Sequence, residues 1–160
     1  MTARAAGALL ALGALVLGAR SAGAVSADAL RAVEDESTLE LVTTGRRSGQ
    51  ERTVTIWFVR DGEHLYVQSG KEGQTDWYRN VLANPAVTLR IGTLRLRGEA
   101  HGIDDAAETE RVHTLFDQKY LRARVMGWFG GGFGHGKVVV IDHLDQLEGG
   151  APSPPAAGSG

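Results

Sequence analysis

The chain has 160 residues, which is enough for one domain with a sizeable hydrophobic core. Hydrophobic residues make up 42% of it and charged residues 22%, as in ordinary globular proteins, and the formal net charge of −2 gives no electrostatic case for binding nucleic acid. Cysteine is absent, which excludes disulfides, thiol catalysis and cysteine-ligated metal sites.

The first 24 residues differ in composition from the rest of the chain. Residues 1–24 contain Arg4, an apolar run over residues 5–19, and a final Ala-x-Ala pattern that predicts cleavage of a secretory signal peptide. The apolar run is shorter than the roughly 20 residues that a membrane-spanning helix needs. An uncleaved anchor and a translation start near Val25 stay open as alternatives. The first two interpretations imply an exported or membrane-associated protein, and the last a cytoplasmic one.

The remaining chain divides into a domain over residues 28–148 and a Gly-, Pro- and Ser-rich tail over residues 149–160 that is predicted to be disordered. Periodicity and turn residues predict nine elements. In chain order they are a helix over residues 28–35, strands over 38–44, 52–60 and 64–69, a helix over 76–83, strands over 87–91 and 94–100, a helix over 105–120, and a strand over 137–142. Helices do not alternate with the strands, so the pattern predicts an α+β antiparallel β-barrel of about six strands with two or three flanking helices.

The loop over residues 45–52 concentrates positive charge. Residues 45–60 carry four arginines against the single carboxylate of Glu51, a local charge of +3. Backbone N–H groups in a glycine-containing turn can form an anion-binding concavity, and guanidinium groups supply permanently charged donors. The candidate anion-binding residues are Arg46, Arg47, Ser48, Gly49 and Arg52. The alternative is a solvated hairpin tip whose arginines bind nothing.

A second candidate segment lies at the start of the helix over residues 76–83. The faces of Trp77 and Tyr78 can stack on a heteroaromatic ring, and Asn80 follows one residue later. Lys71, in the preceding glycine-bearing loop, is a candidate second cation for the same ligand, although its surroundings lack the spacing of a P-loop. The simpler interpretation is that the two aromatic residues fill the end of the barrel and that the lysine is only exposed.

These two segments together resemble the deazaflavin-dependent nitroreductase family. Residues 44–52 read Thr-Gly-Arg-Arg-Ser-Gly-Gln-Glu-Arg, and residues 77–85 read Trp-Tyr-Arg-Asn-Val-Leu-Ala-Asn-Pro. The resemblance covers about residues 38–100, and the two motifs are specific mainly in combination. It implies a split β-barrel, related to the pyridoxamine-phosphate-oxidase-like flavin and deazaflavin oxidoreductases.

The resemblance also implies the cofactor, coenzyme F420, whose tail carries a phosphodiester and a glutamate chain. On this analogy the arginine-rich loop and Lys71 would hold the anionic tail, and the ring would lie near Ser69, Trp77, Tyr78 and Asn80. Hydride would pass to a small electron-poor acceptor such as a quinone, enone or nitro compound, because the cofactor carries the chemistry. Ser69 and Tyr120 are the candidate catalytic proton donors. Candidates for the substrate wall are Trp57, Tyr120, Trp128 and Phe129.

Two alternatives keep the fold and change the function. The first is an FMN-dependent oxidoreductase, in which FMN would sit at a homodimer interface. The second is a carrier of a lipid or tetrapyrrole-like ligand without catalytic activity. No metal site is expected, because the five histidines do not show a metal-ligand spacing such as His-Glu-x-x-His. Apart from the small-molecule acceptor and the homodimer, the expected partner is a membrane, through the N-terminal segment.

Overall fold

The computed structural model describes residues 23–125 and 136–147. Within these two stretches the structure has seven β-strands and three α-helices, and a 3-10 turn covers Lys71–Gly73. The strands are β1 (Gly23–Ala24), β2 (Thr38–Thr44), β3 (Glu51–Asp61), β4 (His64–Ser69), β5 (Ala86–Ile91), β6 (Leu94–Gly102) and β7 (Lys137–Gln146). The helices are α1 (Ala27–Ala32), α2 (Asp76–Ala83) and α3 (Ala106–Val125).

All of the strand pairings are antiparallel, and six of the strands close into a barrel. The strands lie in the order β1-β7-β4-β3-β2-β5-β6, and β6 pairs in addition with β7, which closes the ring. The two-residue strand β1 is an extra strand on the end of β7, where Gly23 faces Gln146 and Ala24 faces Asp145. The predicted α+β antiparallel barrel is therefore confirmed, and β1 is built from the last two residues of the segment that resembles a signal peptide.

Alternation along the strands separates an apolar interior from a polar exterior. In β2, Leu39 and Leu41 are fully buried, and in β6 Leu94 and Leu96 point inward while Arg95 and Arg97 lie on the other face. Full burial of one such side chain stabilises the fold by about 1.5–3 kcal/mol. The interior cluster draws on every barrel strand; its members include Leu41, Phe58, Val67, Leu89, Leu96 and Ile141.

A second apolar cluster lies outside the barrel, under α3. The helix buries Val112, Phe116 and Tyr120 against the outer faces of β3, β4 and β7. The hydroxyl of Tyr120 accepts from the backbone N–H of Phe58 at 3.1 Å and lies 2.8 Å from the carbonyl oxygens of Phe58 and of Ser37. One phenol group therefore connects α3 to the backbone at two points of the barrel.

The boundaries of two helices differ from the sequence-based expectation. Helix α1 covers Ala27–Ala32 instead of residues 28–35. It is capped by Ser26, whose Oγ accepts from the N–H of Ala29 at 3.1 Å, and Asp28 pairs with Arg31. Helix α3 continues to Val125, beyond the predicted end at residue 120, and begins as predicted beside Asp105, which accepts from a first-turn N–H. Within the described ranges, no helix combines the length and the apolar character needed to cross a bilayer.

The closure between β6 and β7 contains a bulge. Arg97 pairs with Asp145 and Glu99 with Asp142, so Gly98 alone faces His143 and Leu144. A Cβ at Gly98 would lie 2.9 Å from the carbonyl oxygen of Asp142, a backbone atom that cannot easily move away, so glycine is strongly favoured there. His143 adopts a φ of 49°, in the left-handed region that non-glycine residues rarely occupy. The seam that completes the barrel is therefore locally irregular.

We expect Tyr120→Phe to lower the free energy of unfolding by about 1–3 kcal/mol, because the buried N–H of Phe58 loses its hydroxyl acceptor. Tyr66→Phe is the matched control. It removes a hydroxyl that accepts from Arg111, a side chain that can turn to water. Urea denaturation measures both variants, and a loss in Tyr120→Phe no greater than that in Tyr66→Phe would contradict the assignment.

Candidate cofactor-binding site

The hairpin between β2 and β3 is a tight loop that favours glycine at two positions. The N–H of Gly45 donates to the carbonyl of Gln50 at 2.7 Å, and the N–H of Gly49 donates to the carbonyl of Gly45 at 2.7 Å. A Cβ at Gly45 would lie 2.6 Å from Ser48 Oγ, and Gly49 has a φ of 67°. The Oγ of Ser48 accepts from the N–H of Gln50 at 3.3 Å, so the serine side chain also stabilises the turn. The loop thereby presents its arginines on a compact tip.

Helix α2 is tied to this loop through one buried side chain, that of Asn80. Its Oδ1 accepts from both the backbone N–H and the Nη1 of Arg46, each at 3.1 Å. Its Nδ2 donates to the buried hydroxyl of Thr43 at 3.4 Å. Asn80 is only 3% exposed, so water cannot replace these contacts. The carboxamide therefore sets the position of the loop relative to the helix.

The loop, the helix and β3 enclose a cavity of about 430 Å³. Both sequence motifs contribute to it, which confirms that the basic loop and the tryptophan-led helix lie side by side. Its lining residues are Gly45, Arg46, Arg47, Ser48, Arg52, Thr53, Val54, Asp76, Trp77 and Asn80.

The charge of the cavity is positive but partly compensated. Arg47 and Arg52 are exposed. The side chain of Arg46 is 22% exposed, and its Nη1 lies 3.1 Å from the Oδ1 of Asp76, a carboxylate that is 84% exposed. Three guanidinium groups and one carboxylate leave a surplus of two positive charges. An anionic ligand would be attracted by this surplus and repelled by Asp76.

The tryptophan and the tyrosine of α2 have different surroundings. Trp77 lines the cavity and packs by its buried part against the barrel interior. Tyr78 meets Trp77 edge-on, with ring centroids 6.1 Å apart, and does not line the cavity. A Cβ at Gly73 would lie 3.0 Å from Tyr78 Cε1, and one at Gly102 would lie 3.3 Å from its hydroxyl, so the tyrosine ring sits against these two glycines. Trp77 is the aromatic face that the cavity offers.

Ser69 lies behind the site and does not line it. It is fully buried at the end of β4, with its Oγ 2.6 Å from Thr75 Oγ1 and within 3.1 Å of the Gly70 carbonyl, to which it donates. Thr75 is the residue before α2, and its hydroxyl makes no cap hydrogen bond to the helix. Ser69 thus anchors the approach to α2. The side chain of Lys71 lies outside the described part of the chain.

Tyr120 is not brought together with the cavity residues. It belongs to the cluster under α3, where Trp57 stacks on it with a centroid distance of 5.4 Å. Burial raises the pKa of Tyr120 to about 12 and lowers the pKa of the neighbouring Lys119 to about 8. Its suggested role as proton donor stays a prediction, as does that of Ser69. Trp128 and Phe129 lie outside the described residues.

Four lining residues, among them Gly45, were absent from the sequence-based candidates. Asp76 entered the sequence analysis only as the first residue of the predicted helix; α2 does begin there, after Thr75, and the carboxylate pairs with Arg46. An acidic residue at the head of a helix, opposite an arginine-rich loop, is the signal that could have identified it. Thr53 and Val54 follow Arg52 directly along β3 and line the cavity because the strand passes beside it. No local sequence motif predicts that position.

Comparisons with known proteins agree with this geometry. A family model described as F420H(2)-dependent quinone reductase matches residues 19–125. An F420H(2)-dependent quinone reductase of Mycobacterium tuberculosis strain H37Rv is 36% identical over 61 residues, which are 36% of this chain and 41% of that protein. The matched region thus spans less than half the length of the curated relative.

Solved structures share the fold at lower identity. The structure of an F420-H2 dependent reductase aligns with a TM-score of 0.51 and 24% identity, covering 66% of this chain and 94% of the other. A Listeria innocua protein, described as a candidate pyridoxamine 5'-phosphate oxidase, aligns with a TM-score of 0.54 and 21% identity, covering 76% and 97% of the two chains. At these identities the likeness supports the split-barrel fold alone.

Asn80→Ala should release the loop from α2, because Arg46 and the buried Thr43 hydroxyl lose their shared partner. We expect faster amide hydrogen exchange across residues 45–50 and a loss of about 1–3 kcal/mol in unfolding free energy. Asn84→Ala is the matched control, since Asn84 Oδ1 accepts only from the N–H of Ala86 at an exposed position. Unchanged exchange in the loop of Asn80→Ala would show that the carboxamide does not position it.

Proposed function

The chain belongs to the F420H(2)-dependent quinone reductase family, and we propose that it binds the deazaflavin coenzyme F420 and reduces a small electron-poor acceptor. A quinone is the first candidate acceptor, and enones or nitro compounds are the next. The match to the curated reductase covers only part of that protein, so this activity is a proposal for the present chain.

The observation that supports the proposal is that three arginines and one indole ring line the same cavity. Arg46, Arg47 and Arg52 all line it, and so does Trp77. This donor set fits a ligand with an acidic tail and a flat ring, because guanidinium groups bind phosphate and carboxylate while an indole stacks on a heteroaromatic ring. The cavity volume of about 430 Å³ and its opening to solvent leave room for such a group.

The roles of the protein's own residues follow from their positions. Arg47 and Arg52, both exposed, would bind the acidic tail, and Arg46 would add a third positive charge while Asn80 holds it in place. Trp77 would orient the ring and exclude water from one of its faces. When bound, the coenzyme would supply the hydride, so no side chain needs to act as a covalent nucleophile.

FMN is the competing cofactor, and the charge distribution favours F420 over it. FMN carries one terminal phosphate, whereas the tail of F420 carries a phosphodiester and carboxylates. Three arginines around one loop are more than a single phosphate needs. The expected homodimer and the cellular location stay predictions of the sequence.

Binding and turnover test the function directly. Purified protein is titrated with F420 and, separately, with FMN, following quenching of tryptophan fluorescence. Reduced F420 is then supplied with a panel of quinones, enones and nitro compounds, and its oxidation is followed by absorbance. We expect tighter binding of F420 than of FMN and quinone-dependent oxidation. Tighter FMN binding would favour a flavin enzyme, and binding without turnover of any acceptor would favour a carrier.

Arg47→Ala and Arg52→Ala should each weaken F420 binding by roughly 10- to 150-fold, because a charge-assisted contact is worth about 1.5–3 kcal/mol. The difference from the wild type should shrink at high salt. Arg90→Ala is the control, since Arg90 is an exposed arginine that pairs with Glu40 on the barrel and does not line the cavity. Equal affinities in all three variants would remove the anion-site assignment.

Asp76→Asn should tighten F420 binding several-fold, because it removes the negative charge that faces the tail and frees a donor of Arg46. The exposed Arg46–Asp76 ion pair contributes at most about 1 kcal/mol to stability, so the fold should tolerate the change. Asp28→Asn, which breaks the exposed pair with Arg31 on α1, should leave binding unchanged. Weaker binding in Asp76→Asn would mean that the carboxylate supports the ligand.

A further inference from the structure

A group of potential metal ligands lies beside the β6–β7 bulge, away from the cofactor cavity. Glu99 and His101 project from β6 and Asp142 from β7, and one ligand atom of each lies within 4.8 Å of the others. The ladder pairs Glu99 with Asp142 next to the point where the register shifts. None of the three residues lines the cavity of the proposed reductase site.

The distances within this group are too long for hydrogen bonds, fit loose ion pairs, and are close to the spacing of ligand atoms around one cation. His101 Nε2 lies 3.6 Å from Glu99 Oε2 and 3.8 Å from Asp142 Oδ1. Both distances exceed the range of hydrogen bonds. Zinc–nitrogen and zinc–oxygen bonds of about 2.0–2.2 Å in a tetrahedron place neighbouring ligand atoms about 3.3–3.5 Å apart. Small rotations of the exposed Glu99 and His101 side chains toward Asp142 would close the difference.

The buried oxygen of Asp142 is the second observation that points to a cation. Its Oδ1 is shielded from solvent and has no hydrogen-bond partner among the described residues. A buried carboxylate oxygen without a partner is unfavourable unless a positive charge compensates it. His143 Nε2 also lies 3.8 Å from this oxygen, so two imidazoles converge on it. Backbone φ at His143 is 49°, in the left-handed region, at the same bulge.

We propose that Glu99, His101 and Asp142 bind a divalent transition cation of the Zn²⁺ type, which clamps β6 to β7 where the barrel closes. One imidazole nitrogen with two carboxylate oxygens suits Zn²⁺, whereas Mg²⁺ and Ca²⁺ prefer oxygen ligands alone. Water or His143 would complete the coordination. The cation stabilises the seam at which the ladder is interrupted, and it takes no part in the proposed reduction.

Calorimetric titration of the tag-free, chelator-treated protein with Zn²⁺ tests the site. We expect one saturable site in the wild type, a higher Tm in the presence of Zn²⁺, and no effect of Mg²⁺ at the same concentration. His101→Gln and Asp142→Asn should each lower Zn²⁺ affinity more than about 100-fold, since even indirect partners of a metal are worth 10- to 100-fold. Co²⁺ in place of Zn²⁺ should give the visible absorption of a tetrahedral site in the wild type only.

Glu40→Gln is the control, because it removes a partly exposed strand carboxylate on β2 that pairs with Arg90 and is not among the three proposed ligands. It should retain the wild-type affinity. Circular dichroism verifies that each variant is folded, and F420 binding should be the same in all of them, which separates this site from the reductase proposal. The absence of a saturable site in the wild type, or wild-type affinity in His101→Gln and Asp142→Asn, would overturn the assignment.

Discussion

The hydrogen bonds of Asn80 join two segments that the cofactor cavity requires to be adjacent. A single buried oxygen accepts from the backbone and from the side chain of Arg46, and the amide nitrogen reaches Thr43 in the first barrel strand. Without this contact the loop after β2 would be a free hairpin tip, and its arginines would have no fixed relation to Trp77. The cavity depends on a helix and a turn being joined by one polar side chain that is buried away from water.

The charges at the site both attract and repel an anionic ligand. The loop concentrates guanidinium groups, and the glycines at its ends allow the chain to turn tightly enough to aim them at one point. Asp76 offsets one of them through its pair with Arg46. A carboxylate at the helix start also interacts favourably with the helix dipole, so its presence stabilises α2 while it opposes an anionic ligand. The affinity for the coenzyme would therefore depend on the attraction by the arginines less the repulsion by Asp76.

The other side of the barrel serves a structural purpose. Helix α3 covers the outer faces of β3, β4 and β7, and Tyr120 fastens it to the backbone at Phe58. Closure between β6 and β7 depends on a bulge that Gly98 makes sterically feasible. A barrel with an irregular seam gains from any additional link across it, which is the physical context of the proposed cation site at His101.

Local patterns in the sequence were sufficient to predict the strand alternation, the basic loop and the aromatic start of α2, because periodicity and glycine conformations are properties of neighbouring residues. They also carried the family resemblance. Only the tertiary structure decided that Asn80 fixes the loop through hydrogen bonds, that Asp76 pairs with Arg46, and that Tyr120 fastens α3 to the barrel backbone at Phe58. Each of those contacts joins residues that are far apart in the chain. Which distant residues meet depends on how the barrel closes and on the register of its strands, and local periodicity does not encode either one.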